Sequence, residues 1–312
     1  VATLLVNWWY CKYRLIIKVR FAKFKWGFLK EVSIYSFWIF LNAIMDRIYW
    51  STGQFVLGIY KGSTAIAVYA VAVQLLNMYM LFSTAITGVL LPKITAMVVK
   101  GNNEKEISDL FIKVGRIQYI IVVFILSSFI VFGKPFIKLW AGSNYVDSYY
   151  VCLFFFIPFT IDLIQNLGIS ILQARNRLKF RSLLLVFVAS SSLLLSVVLA
   201  KKYGYYGCAF STGLGLLIGQ GLILNIYYCC KEHIDIPSFW KEILKMSVVP
   251  FFVIIIGLLV TNSSLFNNIS LFAFVVSCVF FLIVYGVAFW FLSMNKSERD
   301  LVIRPFMKLL NR

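Results

Sequence analysis

Glu31–Tyr60, EVSIYSFWIFLNAIMDRIYWSTGQFVLGIY, is long and apolar enough to span a bilayer, yet it carries Asp46 and Arg47 near its middle. A charge at that depth costs roughly 2.5–3.5 kcal/mol on insertion scales, so neither side chain belongs against lipid. On a helix, at about 100° per residue, Ser36, Ala43, Arg47, Ser51 and Gln54 fall on one line. Asn42, Asp46 and Gly53 lie beside that line, while Ile34, Phe37, Leu41, Ile44, Met45, Ile48 and Phe55 occupy the opposite side. One half of the helix is polar along its whole length. That half is expected to line a wet cavity.

The rest of the composition agrees with a membrane setting. Of 312 residues 61% are hydrophobic, and the mean hydropathy is +0.88. Those values point to a polytopic membrane protein rather than a soluble domain. The formal charge of +18 would suggest nucleic acid in a soluble chain. Here the charges lie almost entirely between apolar segments, and no basic stripe interleaved with aromatics remains. No nucleic-acid partner is expected. The six cysteines (Cys11, Cys152, Cys208, Cys229, Cys230 and Cys278) lie in or beside apolar runs without a CxxC, and His233 is the single histidine. No Cys/His metal site can be assembled from them, and no cofactor is expected.

Working outward, Val1–Tyr10 reads as the end of a membrane helix, so a piece of a longer chain is expected. A basic segment follows, with seven Lys and Arg residues between Lys12 and Lys30. Eight complete spans are then predicted: Val32–Phe55, Thr64–Leu91 ending at Pro92, Val114–Phe132, Tyr150–Leu172, Ser182–Ala200, Cys208–Cys229, Met246–Val260 and Ile269–Phe291. Gly133–Tyr149 is too polar to span and is expected to be a short helix lying at the interface. Loops 11–31, 92–116, 173–181, 231–245 and 293–312 hold 24 of the 30 Lys and Arg residues. By the positive-inside rule these loops are cytoplasmic, and so is the C-terminus.

Further polar groups are placed inside the apolar segments. Asp162, Gln165, Asn166 and Gln173 recur on one face of the fourth span, where Pro158 can kink the helix and free a carbonyl. A buried carboxylate is expensive for mere adhesion, so a cavity lining is expected there. Gln74 and Asn77, on the second span, suit either cavity lining or interhelical adhesion. Arg47 reads as the one arginine or lysine near a helix centre, with a salt bridge to Asp46 or Asp162 as the structural alternative to cavity lining. Ser211, Gly215 and Gly219 repeat every four residues in STGLGLLIGQG, a strip for close helix packing.

Several stretches have a familiar order. They are the basic loop before Asp46-Arg47, GQFVLGIYKGSTAIAVYAVA from Gly53, LPKIT at Leu91–Thr95 and GKPFIKLWAGSNY at Gly133–Tyr145. LQARNRLKFRS at Leu172–Ser182 and KKYGYYGCAFST at Lys201–Thr212 complete it. Together they resemble the polysaccharide exporters of the multidrug/oligosaccharidyl-lipid/polysaccharide superfamily, the O-antigen and teichoic-acid type flippases. The resemblance implies an all-α fold: a six-helix second lobe of an inverted-V exporter over residues 32–230, and two additional helices over 231–292. Residues 1–31 would be the end of a truncated helix with a basic cytoplasmic loop, and 293–312 a cytoplasmic tail. The first, N-terminal lobe would be a missing partner.

The resemblance further implies a non-enzymatic function. A polyprenyl-diphosphate-linked oligosaccharide would cross the inner (cytoplasmic) membrane by alternating access, serving surface polysaccharides such as the O-antigen of lipopolysaccharide. Its partners would be that lipid-linked substrate, membrane lipids and other polysaccharide assembly proteins. Arg47 suits a diphosphate because its guanidinium is a planar fork of donors. Asn42, Ser51, Gln54, Gln165 and Asn166 suit sugars, Gln74 and Asn77 are further cavity-lining candidates, and Asp46 or Asp162 suits a coupling proton or sodium ion. Two alternatives remain: an ion-coupled drug or cation antiporter of the same superfamily, against which Arg47 argues, and a membrane glycan polymerase or ligase. The latter normally presents a long external loop with arginines, which this sequence lacks.

Overall fold

The computed structural model describes residues 9, 26–101, 103–261, 271–300 and 303, and among them every regular element is helical. Apart from Trp9, the expected helix end at Val1–Tyr10 lies outside the described residues, as do most of the basic segment after it, the turn at 262–268 and most of the tail. The chain forms two compact units, residues 1–37 and 38–312. In the first, the described residues are helical from Trp26 onward. The site lies wholly within the second.

The elements are α1 (Trp26–Tyr60), α2 (Ser63–Val99), α3 (Glu104–Trp140), a 3-10 turn (Ser143–Tyr145), α4 (Ser148–Ile164) and α5 (Asn166–Ala174). Then come α6 (Leu178–Leu216), a π-helical turn (Leu217–Ile223), α7 (Leu224–Cys230), α8 (Ile236–Thr261) and α9 (Leu271–Leu292). Six helical stretches are long and apolar enough to cross a membrane, and α4 with α5, bent by 44°, makes a seventh. One of the six, Leu178–Cys230, runs for 53 residues, too many for a single crossing. It reverses inside α6 at Gly204, whose backbone (φ 58°, ψ −133°) is not helical. Ser211 Oγ donates to the Ser192 carbonyl at 2.7 Å across 19 residues, which a straight helix would hold about 28 Å apart. Residues 178–203 and 205–230 are therefore two antiparallel arms. The described chain thus has eight spans.

The boundaries differ from the sequence reading in instructive ways. α3 is longer than Val114–Phe132 at both ends. Its N-terminus is capped by Asn103, whose side chain accepts from the Lys105 amide at 3.4 Å, with Glu104 and Glu106 in the first turn and Lys138 in the last. These charges complement the helix dipole, so the polar flanks extend the helix instead of ending it. α3 runs through Pro135 to Trp140, and no separate helix covers Gly133–Tyr149; α2 likewise continues through Pro92 to Val99.

Nor does the fourth span kink at Pro158. That residue sits inside α4, and the break falls at Gln165. The carbonyl that Pro158 leaves free, on Phe154, is covered instead by Gly213, where a Cβ would lie 2.5 Å from the oxygen. At the break itself the Leu163 carbonyl accepts from Ser83 Oγ at 2.6 Å.

Two charges that read as loop residues are buried in the bundle. Arg116 donates to Glu298 through Nε (2.6 Å) and Nη2 (3.0 Å), and to Glu242 through Nη1 (2.6 Å). The fully buried Glu232 accepts from Arg175 at 2.9 Å and Arg177 at 3.3 Å, while Arg175 also reaches Glu104 at 2.5 Å. Through Arg175 the two carboxylates tie together the start of α3, the turn before α6 and the turn before α8. Three connections at one end of the bundle are held as a unit.

Candidate functional site

α1 is attached to the bundle by a few side chains on its polar face. Tyr49 donates its hydroxyl to the Thr212 carbonyl, and Gly53 accepts the ring of Tyr69 so closely that a Cβ would lie 2.1 Å from its oxygen. Trp50 meets Phe155 and Phe159 edge-on, with centroids 6.0 and 5.2 Å apart. Nearer the start of α1, Asn42 Nδ2 donates to Ser182 Oγ, and Arg181 Nη1 donates to Asn42 Oδ1. Both bonds are short.

Between these attachments lies a cavity of about 510 Å³. α1 supplies Asp46, Arg47, Ser51 and Gln54; α2 supplies Asn77 and Thr84; α4, α5 and α6 supply Asp162, Asn166 and Arg181. The π turn adds Gly219 and Gln220, and Trp50, Phe159, Leu184 and Val188 complete the wall with apolar surface. A polar pocket in an apolar bundle is costly to maintain unless it serves a ligand. π turns recur at such sites.

Seven of the ten residues singled out in the sequence line this cavity: Asp46, Arg47, Ser51, Gln54, Asn77, Asp162 and Asn166. Asn166 also points Nδ2 at Ser83 Oγ (3.4 Å) and Thr87 Oγ1 (3.3 Å). The other three lie elsewhere. Asn42 is buried behind the wall as the acceptor for Arg181. Gln74 is exposed on α2, outside the lining. Gln165 is buried and donates to Asn225 Oδ1 at 2.7 Å, an atom that also accepts from Trp240 Nε1 at 3.3 Å. The break at Gln165 turns α5 relative to α4, so the i, i+3, i+4 face of the sequence does not stay in line.

The cations are arranged differently from expectation. Arg47 is exposed at the cavity and makes no hydrogen bond or ion pair among the described residues. It is not the only arginine inside a helix, since Arg116 and Arg181 are each 5% exposed. Arg181 lines the cavity with both Asp46 and Asp162, although no ion pair within 4 Å joins it to either. Its Nε is buried without a partner among the described residues. The sequence reading left Arg181 in a basic loop, yet α6 begins at Leu178, after Asn176 with φ 54°. A periodicity signal was present: the buried stripe Ser196, Ser192, Val188, Leu185 and Leu184 extends back by one turn to Arg181. Among the described residues no group of three or more His, Cys, Asp and Glu side chains could hold a metal ion.

With this geometry in view, the comparisons with known proteins carry weight. Residues 1–150 match the family model described as "Polysaccharide biosynthesis protein". A Shigella flexneri protein named "Putative O-antigen transporter" is 20% identical over 231 residues, covering 73% of this chain and 53% of that protein. Over those stretches this chain is similar to proteins of polysaccharide biosynthesis. It spans about half the length of this curated relative. No solved structure matches it. The described residues form an all-α, multi-pass membrane protein, and the matched residues include all of α1, α2 and α3.

Proposed function

We propose that this chain forms the second lobe, with two additional helices, of a transporter that carries a polyprenyl-diphosphate-linked oligosaccharide across the cytoplasmic membrane by alternating access. The observation that carries the reading is the polar cavity with two arginines, Arg47 and Arg181, enclosed by apolar helices. A guanidinium in a low-dielectric cavity is suited to a diphosphate, which it can grip with two parallel hydrogen bonds. The amides and hydroxyls of Ser51, Gln54, Asn77, Thr84, Asn166 and Gln220 are suited to sugar hydroxyls. A cationic drug would find Asp46 and Asp162 there but would have to compete with Arg47 and Arg181 for them, so the antiporter alternative is disfavoured.

The protein is read as a transporter and not an enzyme, with cytoplasmic loops at the Glu232 end. The complete protein is expected to require the N-terminal lobe and to work with lipids and other polysaccharide assembly proteins. Deletion of the gene should abolish surface polysaccharide and leave sensitivity to cationic dyes unchanged. A deletion strain that kept its polysaccharide and became dye-sensitive would replace this reading with the antiporter.

A further inference from the structure

At the end of the bundle opposite Glu232 lie Lys61 after α1, Lys134 and Lys138 towards the end of α3, and Lys201 and Lys202 before the reversal in α6. The one acidic residue in these stretches, Asp147, accepts from the Tyr205 hydroxyl at 2.7 Å. Every ion pair among the described residues involves Arg116, Arg175, Arg177 or Lys245, so these five ammonium groups have none there. Three of the lysines converge, because the reversal at Gly204 sets the start of KKYGYYG against the α1–α2 turn. Lys201 Nζ lies 5.3 Å from the centroid of the Tyr60 ring, and the Lys61 methylenes rest on Gly204, 3.8 Å from where a Cβ would stand. Lys202 Nζ lies 5.3 Å from the Tyr203 centroid. Both rings are open to the surroundings, at 40% and 53% exposure. An aromatic face attracts an ammonium group but does not neutralise it. Three like charges are thus gathered without a counter-charge, an arrangement that an anion would relieve.

The cluster also lies in line with the cavity. The Lys61 amide donates to the Leu57 carbonyl at 2.8 Å, which carries the pattern of α1 one residue further. Arg47, Gln54 and Lys61 stand seven residues apart, within about 40° of one another around the helix and about 10.5 Å apart along it. We propose that Lys61, Lys201 and Lys202 form a second anion site, which holds the diphosphate of a lipid-linked sugar at the face of the membrane opposite Glu232. The inference rests on the diphosphate reading above. Lysine and tyrosine suit any bilayer interface, but charge favours the diphosphate over an ordinary phospholipid. A headgroup such as phosphatidylglycerol brings a single negative charge to three ammonium groups, whereas a diphosphate diester brings two on adjacent phosphates.

The test is lysine protection on the purified chain in nanodiscs of uncharged lipid, with citronellyl-diphospho-N-acetylglucosamine as the probe. An amine-acetylating reagent is applied, and mass spectrometry reads each lysine separately. At about ten times its dissociation constant the probe should slow labelling of Lys61, Lys201 and Lys202 about tenfold, while Lys134 and Lys138 label as before. Arg47→Ala should keep that protection, and its loss there would make the effect a relay from the cavity and overturn the site. Nanodiscs of phosphatidylglycerol without the probe should leave the three lysines reactive. Equal protection by phosphatidylglycerol overturns the diphosphate assignment in favour of a lipid headgroup. Calorimetric binding of the probe with all three lysines still reactive overturns the site and leaves the cavity reading intact. No binding at all overturns the diphosphate reading, and the second site falls with it.

Discussion

Arg47 and Arg181 carry the same charge at the same cavity but differ in what supports them. Arg47 has no hydrogen-bond or ion-pair partner among the described residues, so Arg47→Ala should shift stability by no more than about 0.5 kcal/mol while export is lost. Arg47→Lys keeps the charge but not the fork, and should also lose most export. Arg181 is bonded to Asn42, which in turn bonds Ser182. Asn42→Leu therefore strands a buried donor and should cost about 1–3 kcal/mol, read as a lower melting temperature in detergent. Membrane level and glycan export of Arg47→Ala, Asp162→Asn and the double variant separate these roles. Low levels in both single variants, with recovery in the double, would mean that Arg47 is a structural counter-ion after all. The polar stripe of α1 was legible because a helix maps sequence spacing directly onto a face. Arg181 was not, because a cation beside Arg175, Arg177 and Lys179 looks like one more loop charge until the start of α6 is known.

The same division holds for whole elements. Eight spans were legible because apolar length is a local property, and the bilayer sets its scale. The break at Gln165 was not, since it is set by partners distant in sequence: Ser83 on the Leu163 carbonyl and Asn225 on the Gln165 side chain. Pro158 was a misleading signal for a related reason. Its missing N–H leaves a single carbonyl unbonded, and Gly213, 55 positions later, covers it. The reversal at Gly204 rests on backbone geometry instead of on neighbours. At φ 58° and ψ −133° an L-residue is strained, and a Cβ there would meet nothing closer than the Lys61 methylenes at 3.8 Å. Gly204→Ala should therefore cost about 1–3 kcal/mol through strain alone, measurable as a fall in unfolding temperature. An unchanged melting temperature would show that the two arms of α6 do not depend on this turn.

At the level of the molecule, the asymmetry of charge predicts an orientation, and the buried ion pairs predict a mechanical unit. Lys61→Cys should react with an impermeant maleimide in intact cells, and Lys231→Cys only after lysis, once the native cysteines are removed. Reaction of Lys231→Cys from outside would invert the topology.

The ion-pair node at Arg116 makes the stronger claim. It joins α3 to Glu242 on α8 and to Glu298, beyond the end of α9, so it binds the two additional helices to the bundle. Glu298 is 3% exposed, holds Arg116 through both carboxylate oxygens, and accepts from the Asn295 amide at 2.8 Å. Glu242 is partly solvated and shared with Lys245 at 2.7 Å, so its loss should matter little. Glu298→Ala leaves a buried guanidinium half satisfied and should cost about 3–5 kcal/mol, because the penalty for an uncompensated charge exceeds the worth of the pair. Glu298→Ala with Arg116→Met removes the charge as well, and most of the loss should return. Thermal unfolding of the three variants in detergent tests this. If Glu298→Ala melts with the wild type, residues 295–300 are not anchored on α3 by this ion pair, and the additional helices are held to the bundle by their other contacts, Arg116–Glu242 and Tyr119–Ser247 among them.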